Sequence, residues 1–146
     1  MRRIITIFLI IISFFTAGDI TKANITPEKE IKAGDTSAVF MFENKTGKTL
    51  DLHIFVESVE MKKDGEWKEI PFYQMLDDVD FVYPSKLYPG EKAELQVLFR
   101  QIGVYSEPVP MPLEEGNYRL TVSYKTKGYQ TVKEGKKTVE FTVMPA

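Results

Sequence analysis

Residues 50–56 read Leu50-Asp51-Leu52-His53-Ile54-Phe55-Val56, and apolar side chains recur in this stretch at every second position. That period is typical of a β-strand that buries one face and leaves the other in solvent. The pattern continues through Val59 and Met61 to residues 62–66, where Asp64-Gly65 favours a tight hairpin turn. The stretch therefore predicts a meander of antiparallel strands, with Trp67, Ile70 and Phe72 beyond the turn.

Three further segments toward the C terminus show the same alternation. They run from Ala93 to Phe99, from Tyr118 to Tyr124 and from Val139 to Val143, and each follows a turn-forming sequence. Between the first two, the prolines predict an edge strand or a loop over residues 105–112, because proline lacks the N–H group that a central strand needs. Residues 73–83 are the least regular part of the chain.

Toward the N terminus, residues 38–44 form a short apolar run that ends at the turn-rich sequence Asn44-Lys45-Thr46-Gly47-Lys48. With this run, the chain contains about seven short strands and no helical period. We therefore expect an all-β protein, an immunoglobulin-like antiparallel β-sandwich of about seven strands. No repeat or linker divides it, and a single domain is expected over residues 24–146.

The first 23 residues have the plan of a secretory signal peptide. Met1-Arg2-Arg3 is cationic, residues 4–15 are apolar except for Thr6 and Ser13, and Thr21 and Ala23 fit the small residues required before a cleavage site. Cleavage after Ala23 would leave Asn24 first, and cleavage after Gly18 is the alternative. The apolar run is shorter than the roughly 20 residues of a membrane-spanning helix. We expect no membrane span after cleavage, and a secreted or cell-envelope location.

Charge and composition exclude several classes of partner. The chain has a net charge of −2, and removal of residues 1–23, which hold three basic residues and one acidic residue, leaves −4. Because its lysines are mixed with glutamates, a nucleic-acid partner is not expected. The chain has no cysteine, so an exported domain of this sequence depends on its core and not on disulfides or thiolate-bound zinc.

The order of the turn motifs resembles that of known families. These motifs are Asn44 to Gly47, the hairpin from Lys63 to Pro71, the sequence Leu87-Tyr88-Pro89-Gly90-Glu91, and residues 113–120. Over most of residues 36–143 the chain resembles the bacterial immunoglobulin-like domains of exported and lipid-anchored Gram-positive proteins. It is less similar to the intracellular proteinase inhibitor family of bacilli. The resemblance implies the fold, and it assigns no binding residue.

A second resemblance is to the N-terminal domain of periplasmic pilus chaperones. It rests on Phe81-Val82-Tyr83-Pro84 and on residues 87–91, which are followed by an alternating strand. Such chaperones have a second immunoglobulin-like domain, and the single domain expected here departs from that pattern.

No arrangement of residues predicts catalysis. His53 is the only histidine, and neither a cysteine nor a Gly-x-Ser-x-Gly sequence provides a nucleophile for it. It is expected to be a solvent-facing strand residue. Asp77, Asp78 and Asp80 offer oxygen ligands for calcium but lack the glycine and terminal glutamate of an EF-hand loop. We therefore expect a protein that is not an enzyme, with no metal and no cofactor.

Two other features have alternative interpretations. Asn24-Ile25-Thr26 and Asn44-Lys45-Thr46 match the glycosylation acceptor pattern, although turn chemistry explains Asn44 better. Trp67 follows a hairpin turn, where an exposed aromatic ring would contact a carbohydrate or a protein. Because tryptophan is usually well buried, a core position for Trp67 is the preferred expectation.

Residues 101–113 are the strongest candidate for a binding segment. They are apolar, extended and rich in proline, and they would present Val104, Tyr105, Val109 and Met111 to a partner. The alternative is a crossover whose apolar side chains cover the core.

These observations favour a non-catalytic exported module that binds a protein or an envelope component through a strand edge or the end loops. A proteinase inhibitor that acts through residues 101–113 is the first alternative, and a protein similar to pilus chaperones is the second. An enzyme would need acid–base chemistry from the aspartates at 77, 78 and 80, and no pattern in the sequence brings these together at a cleft.

Overall fold

The computed structural model describes residues 22–75, 86–127 and 132–146, and every regular element within these ranges is a β-strand. There are eleven strands in the described ranges, more than the seven expected, because two- to five-residue pieces accompany the long ones. They are β1 (Ala23–Pro27), β2 (Ile31–Lys32), β3 (Ser37–Asn44), β4 (Leu50–Lys63), β5 (Glu66–Glu69), β6 (Phe72–Met75), β7 (Lys86–Leu87), β8 (Lys92–Ile102), β9 (Pro108–Pro110), β10 (Gly116–Lys127) and β11 (Val132–Met144).

The strands form two sheets that pack face to face. Sheet one has the order β1-β3-β8-β6, with β9 paired to the end of β8, and sheet two has the order β2-β11-β10-β4-β5, with β7 paired to β4. All pairings are antiparallel except that of β2 with β11. Sheet one thus has the strand order A-B-E-D of an immunoglobulin domain, and sheet two has the order G-F-C with one added strand beyond C. The immunoglobulin-like sandwich expected from the sequence is confirmed.

The hairpin of β4 and β5 has the predicted turn. Asp64 and Gly65 both have positive φ, 52° and 79°, as a two-residue type I′ turn requires. This turn pairs Lys63 with Glu66 and Lys62 with Trp67, and so it decides which face of β5 points toward the core.

The long strand β4 contains a β-bulge that its sequence pattern already reflects. Val56 pairs with Val122 and Ser58 pairs with Thr121, so Glu57 is an extra residue on β4. Val56 and Val59 are both buried although three positions separate them. The bulge shifts the alternation by one residue and keeps both valines on the core face.

The core is built from aromatic and aliphatic side chains of both sheets. Phe40 of sheet one contacts Phe141 of sheet two with ring centroids 5.1 Å apart, and Phe42 contacts Tyr124 at 5.2 Å. Both pairs meet edge to face, an arrangement that aromatic rings prefer. The other fully buried side chains include Leu50, Val59, Val97, Phe99, Tyr118, Leu120, Val122 and Val143.

Tyr118 connects the start of β10 to the loop that precedes it. Its hydroxyl donates a hydrogen bond of 2.6 Å to the carbonyl oxygen of Glu114, which is the tyrosine corner of immunoglobulin-like domains. Burial raises the pKa of the Tyr118 hydroxyl above its usual value, and the hydrogen bond to Glu114 opposes that rise. Leu120 is fully buried two residues later, where antibody domains have a cysteine.

Asn44 organises two turns at once. Its side-chain amide donates to the carbonyl oxygens of Lys48 (2.7 Å) and Leu87 (2.9 Å), and its Oδ1 accepts from the backbone N–H of Thr46 at 3.0 Å. The amide is buried in the domain, so turn chemistry accounts for this residue and glycosylation of the folded domain does not. Asn24, in the other acceptor pattern, is exposed on β1.

Candidate functional site

The segment from Gln101 to Leu113 forms a projecting hairpin and the return of the chain to the body of the domain. The end of β8 pairs with β9 through Arg100 and Pro110, Gln101 and Val109, and Ile102 and Pro108. The segment is therefore an edge hairpin and not a central strand, as its prolines predicted.

The hairpin loop is short and has a defined geometry. The N–H of Gly103 donates to the carbonyl oxygen of Glu107 at 2.7 Å, and the N–H of Ser106 donates to the carbonyl oxygen of Gly103 at 3.1 Å. Ser106 has φ of 62°. This is the pattern of a three-residue loop in which a tight turn is followed by a residue in the left-handed conformation. Val104 and Tyr105 occupy the two central positions of the turn.

The residues at the tip of the hairpin are apolar and exposed. Val104 is 94% exposed, Tyr105 is 88% exposed and Ile102, just before the turn, is 70% exposed. Turn centres usually hold small or polar residues, and exposing apolar side chains forgoes the free energy that their burial would supply. We call Ile102, Val104 and Tyr105 the apolar tip.

The other two residues predicted to bind a partner lie elsewhere on the segment. Val109 is half-buried on β9. Met111 packs against the core, and its N–H donates to the carbonyl oxygen of Phe99 at 2.9 Å. The structure therefore divides the predicted set, since Val104 and Tyr105 project into solvent while Met111 covers the core. Ile102 was missing from the predicted set, although it continues the apolar character of β8 beyond Arg100.

Trp67 is not in the core, and the expectation that it would be is wrong. It lies directly opposite Lys62, and Met61, the neighbour of Lys62, is buried. Because successive side chains of a strand point to opposite faces, Lys62 and Trp67 share the outer face of sheet two. The indole ring is half-buried on this face.

Two cations contact the Trp67 ring. The guanidinium carbon of Arg119 lies 4.5 Å from the ring centroid, and Nζ of Lys62 lies 5.8 Å from it. Arg119 donates two hydrogen bonds to the carboxylate of Glu60, of 2.8 and 3.0 Å. These bonds lower the pKa of Glu60 and raise that of Arg119. A pocket of about 210 Å³ beside the ring is lined by Lys62, Trp67, Asn117, Glu140, Phe141 and Thr142.

The residues considered for chemistry lie largely outside the described structure. His53 lies on β4, but its side chain is outside the described residues, as are Asp77, Asp78 and Asp80. In the described part of the chain, no group of three or more histidine, cysteine or acidic residues has a geometry suited to a metal ion. No helix in residues 22–75, 86–127 and 132–146 has the length and apolar character needed to cross a bilayer.

Comparison with known proteins places the chain in one family. No curated protein and no solved structure matches it significantly. Residues 19–141 match the family described as bacterial Ig-like domain, and this range includes almost every strand of both sheets. The match agrees with the strand order and with the tyrosine corner at Tyr118. The chain belongs to the bacterial Ig-like domain family.

Proposed function

We propose that this protein is a non-catalytic module of the exported proteome that binds a protein partner of the cell envelope through the apolar tip. The observation that carries the proposal is the exposure of Val104 and Tyr105 at the centre of a tight turn. Apolar and aromatic side chains that project from a rigid scaffold are typical anchors of protein interfaces.

Two of the strand edges, those of β9 and β5, are poorly suited to binding by strand addition. Edge strand β9 has proline at positions 108 and 110, which cannot donate hydrogen bonds to an added strand. Edge strand β5 reads Glu66-Trp67-Lys68-Glu69, and charged side chains on an edge discourage further pairing. These features favour the end loops over these two edges as the binding site.

Export is proposed from the sequence of residues 1–23 and from the family, whose domains commonly occur in extracytoplasmic proteins. The described fold adds one consideration about cleavage. Strand β1 begins at Ala23, which is buried and pairs with Asn44. Cleavage after Ala23 would remove the first residue of β1, whereas cleavage after Gly18 would leave the strand whole.

The binding proposal is tested by capturing partners from the host's exported fraction with tagged protein, followed by crosslinking and mass spectrometry. A double variant, Val104→Ser with Tyr105→Ser, is compared with the wild type and with Tyr88→Ser, which changes an exposed tyrosine on a different turn. We expect the tip variant to weaken binding by about 2 kcal/mol or more, as loss of interface anchors does, and Tyr88→Ser to have no effect.

Equal capture by all three proteins would refute the apolar tip as the binding site. Crosslinks from the partner to residues 102–106 would locate the contact directly.

A proteinase inhibitor is the second candidate, and the projection of Tyr105 is the observation that favours it. A protease that cleaves after aromatic residues would contact the Tyr105 side chain before the other residues of the hairpin. Stoichiometric inhibition of such a protease, lost in Tyr105→Ala, would support inhibition, whereas cleavage at Tyr105 without inhibition would exclude it. Met111 should make no contribution, because it packs against the core.

A further inference from the structure

The outer face of sheet two presents a second surface that the apolar tip does not explain. It consists of Trp67 with Lys62, Arg119 and Glu60 around it, and of Asn117, Thr142 and Glu140 on the far side of the pocket. We call these residues the Trp67 patch. We propose that the Trp67 patch binds a neutral oligosaccharide of β-1,4-linked pyranose rings. The proposal is independent of the function assigned to the apolar tip, because it concerns a different sheet.

The indole ring is held in a fixed position by residues of the sheet beneath it. Lys62 is on the neighbouring strand β4, and Arg119 is one strand further, on β10. The ring therefore reaches across β4 to contact the guanidinium group. Since Arg119 is itself fixed by two hydrogen bonds to Glu60, the ring is immobilised before any ligand arrives. A preorganised ring loses little conformational entropy on binding.

Charge on this face disfavours an anionic ligand. Lys62 and Arg119 carry two positive charges, whereas Glu60, Glu140 and Glu69, which pairs with Glu60, carry three negative charges. An anionic polymer would be attracted by a surplus of positive charge, and the patch has none. What remains is an aromatic surface surrounded by donors and acceptors.

The polar groups next to the ring suit hydroxyl groups of a ligand. Thr142 Oγ1 donates a hydrogen bond of 3.3 Å to Asn117 Oδ1, so the asparagine side chain is oriented by its neighbour. Lys62 supplies donors and Glu140 supplies acceptors at the same pocket. A pyranose ring has an apolar face of C–H groups and a rim of hydroxyls, which match the exposed part of the half-buried indole ring and these polar groups respectively.

The shape of the surface favours an extended chain over a single enclosed sugar. Trp67, Lys62, Asn117 and Thr142 lie in one row across the adjacent strands β5, β4, β10 and β11. Three spacings between strands of about 4.8 Å give a row of roughly 14 Å. A flat β-1,4-linked chain can lie along such a row.

The chain has a single tryptophan, which makes fluorescence a direct probe of this site. Purified protein is titrated with cellotetraose and with chitotetraose, and binding is also measured by calorimetry. We expect a saturable change in Trp67 emission with at least one of the two sugars. Trp67→Ala and Asn117→Ala should each weaken binding about tenfold or more, the factor expected for loss of a stacking or hydrogen-bonding contact.

Tyr105→Ala is the matched control, because it removes an aromatic side chain from the apolar tip and should leave sugar binding unchanged. The absence of any emission change or heat with both sugars at about 10 mM, a concentration that detects even millimolar affinity, would overturn the proposal. Binding that survives in Trp67→Ala, or binding of a polyanionic sugar instead of the neutral ones, would overturn it as well.

Discussion

At the scale of single residues, Tyr118 stabilises the fold through one hydrogen bond. Its ring is buried and stacks on Phe141, with centroids 5.4 Å apart, while its hydroxyl holds the carbonyl oxygen of Glu114. This hydrogen bond is partly buried, and the loss of its donor removes the net contribution of the bond and leaves the carbonyl oxygen without its protein partner.

We expect Tyr118→Phe to lower the free energy of unfolding by about 1–2 kcal/mol, because it keeps the ring and removes only the hydroxyl. Urea unfolding followed by circular dichroism measures this change. Tyr73→Phe is the control, since Tyr73 is exposed and its loss should change stability by less than about 0.5 kcal/mol. Equal stability of Tyr118→Phe and wild type would show that Glu114 finds another donor.

The Glu60–Arg119 pair predicts a pH dependence. Arg119 lowers the pKa of Glu60 in the folded protein, so the folded state favours the carboxylate more strongly than the unfolded state does. The stabilisation is therefore complete above the ordinary glutamate pKa of about 4.3 and is lost as the pH falls through the lowered value.

The measurement is the free energy of unfolding of wild type and Glu60→Gln at pH 7 and at pH 3. We expect wild type to be the more stable at pH 7 and the difference to shrink at pH 3. Glu94→Gln, on an exposed position of β8, should show no such difference at either pH. A difference in the free energy of unfolding between wild type and Glu60→Gln that is the same at both pH values would contradict the stabilising role of the Glu60–Arg119 pair.

At the scale of elements, the β8–β9 hairpin contains a residue in an unfavourable conformation. Ser106 has φ of 62°, in the left-handed region where a Cβ atom is strained and glycine is not. Glycine loses more chain entropy on folding than serine does, and this loss offsets part of the stability gained by relieving the backbone strain.

We expect Ser106→Gly to raise the free energy of unfolding by about 0.5–1 kcal/mol. Ser106→Ala is the matched control, because it removes the hydroxyl but keeps the Cβ atom, and it should not stabilise the protein. The measurement is the thermal unfolding of wild type, Ser106→Gly and Ser106→Ala. A gain in Ser106→Ala equal to that of Ser106→Gly would mean that the hydroxyl, and not the backbone, is responsible.

The β4–β5 hairpin shows how much of a candidate site a sequence can supply. Asp64-Gly65 predicted the turn, and Met61 was already expected on the core face. Together they place Lys62 and Trp67 on the outer face, because the turn fixes the register and the strand period fixes the face. The core position expected for Trp67 rested on a general preference of tryptophan for burial. The register set by the turn indicates the outer face instead.

The contacts of Trp67 could not be predicted in the same way. Arg119 lies 52 positions further along the chain, and it meets the indole ring only because β10 pairs with β4. Alternation shows which face of a strand is buried, and it does not show which strand lies beside it. Strands β2 and β7 are only two residues long and are too short to produce a pattern.

At the scale of the whole molecule, the fold class followed from the sequence because three kinds of signal agreed. Alternation, turn residues and the absence of a helical period all favoured a sandwich, and consistent signals of this kind are typical of sequences that specify one fold. The order of the strands came from the structure. The apolar tip and the Trp67 patch belong to different sheets, so the domain offers two surfaces on one rigid core.

The parallel pairing of β2 with β11 has a consequence for the stage at which the chain can fold. Ile31 pairs with Val143, so sheet two is not complete until nearly the whole domain is available, and a fold dominated by such distant contacts forms slowly. Under the export proposed above, a chain that crosses a membrane from its N terminus would stay unfolded during that passage. Because the sequence has no cysteine, folding would then need no oxidising enzyme, and release of the last strand would be the event that permits it.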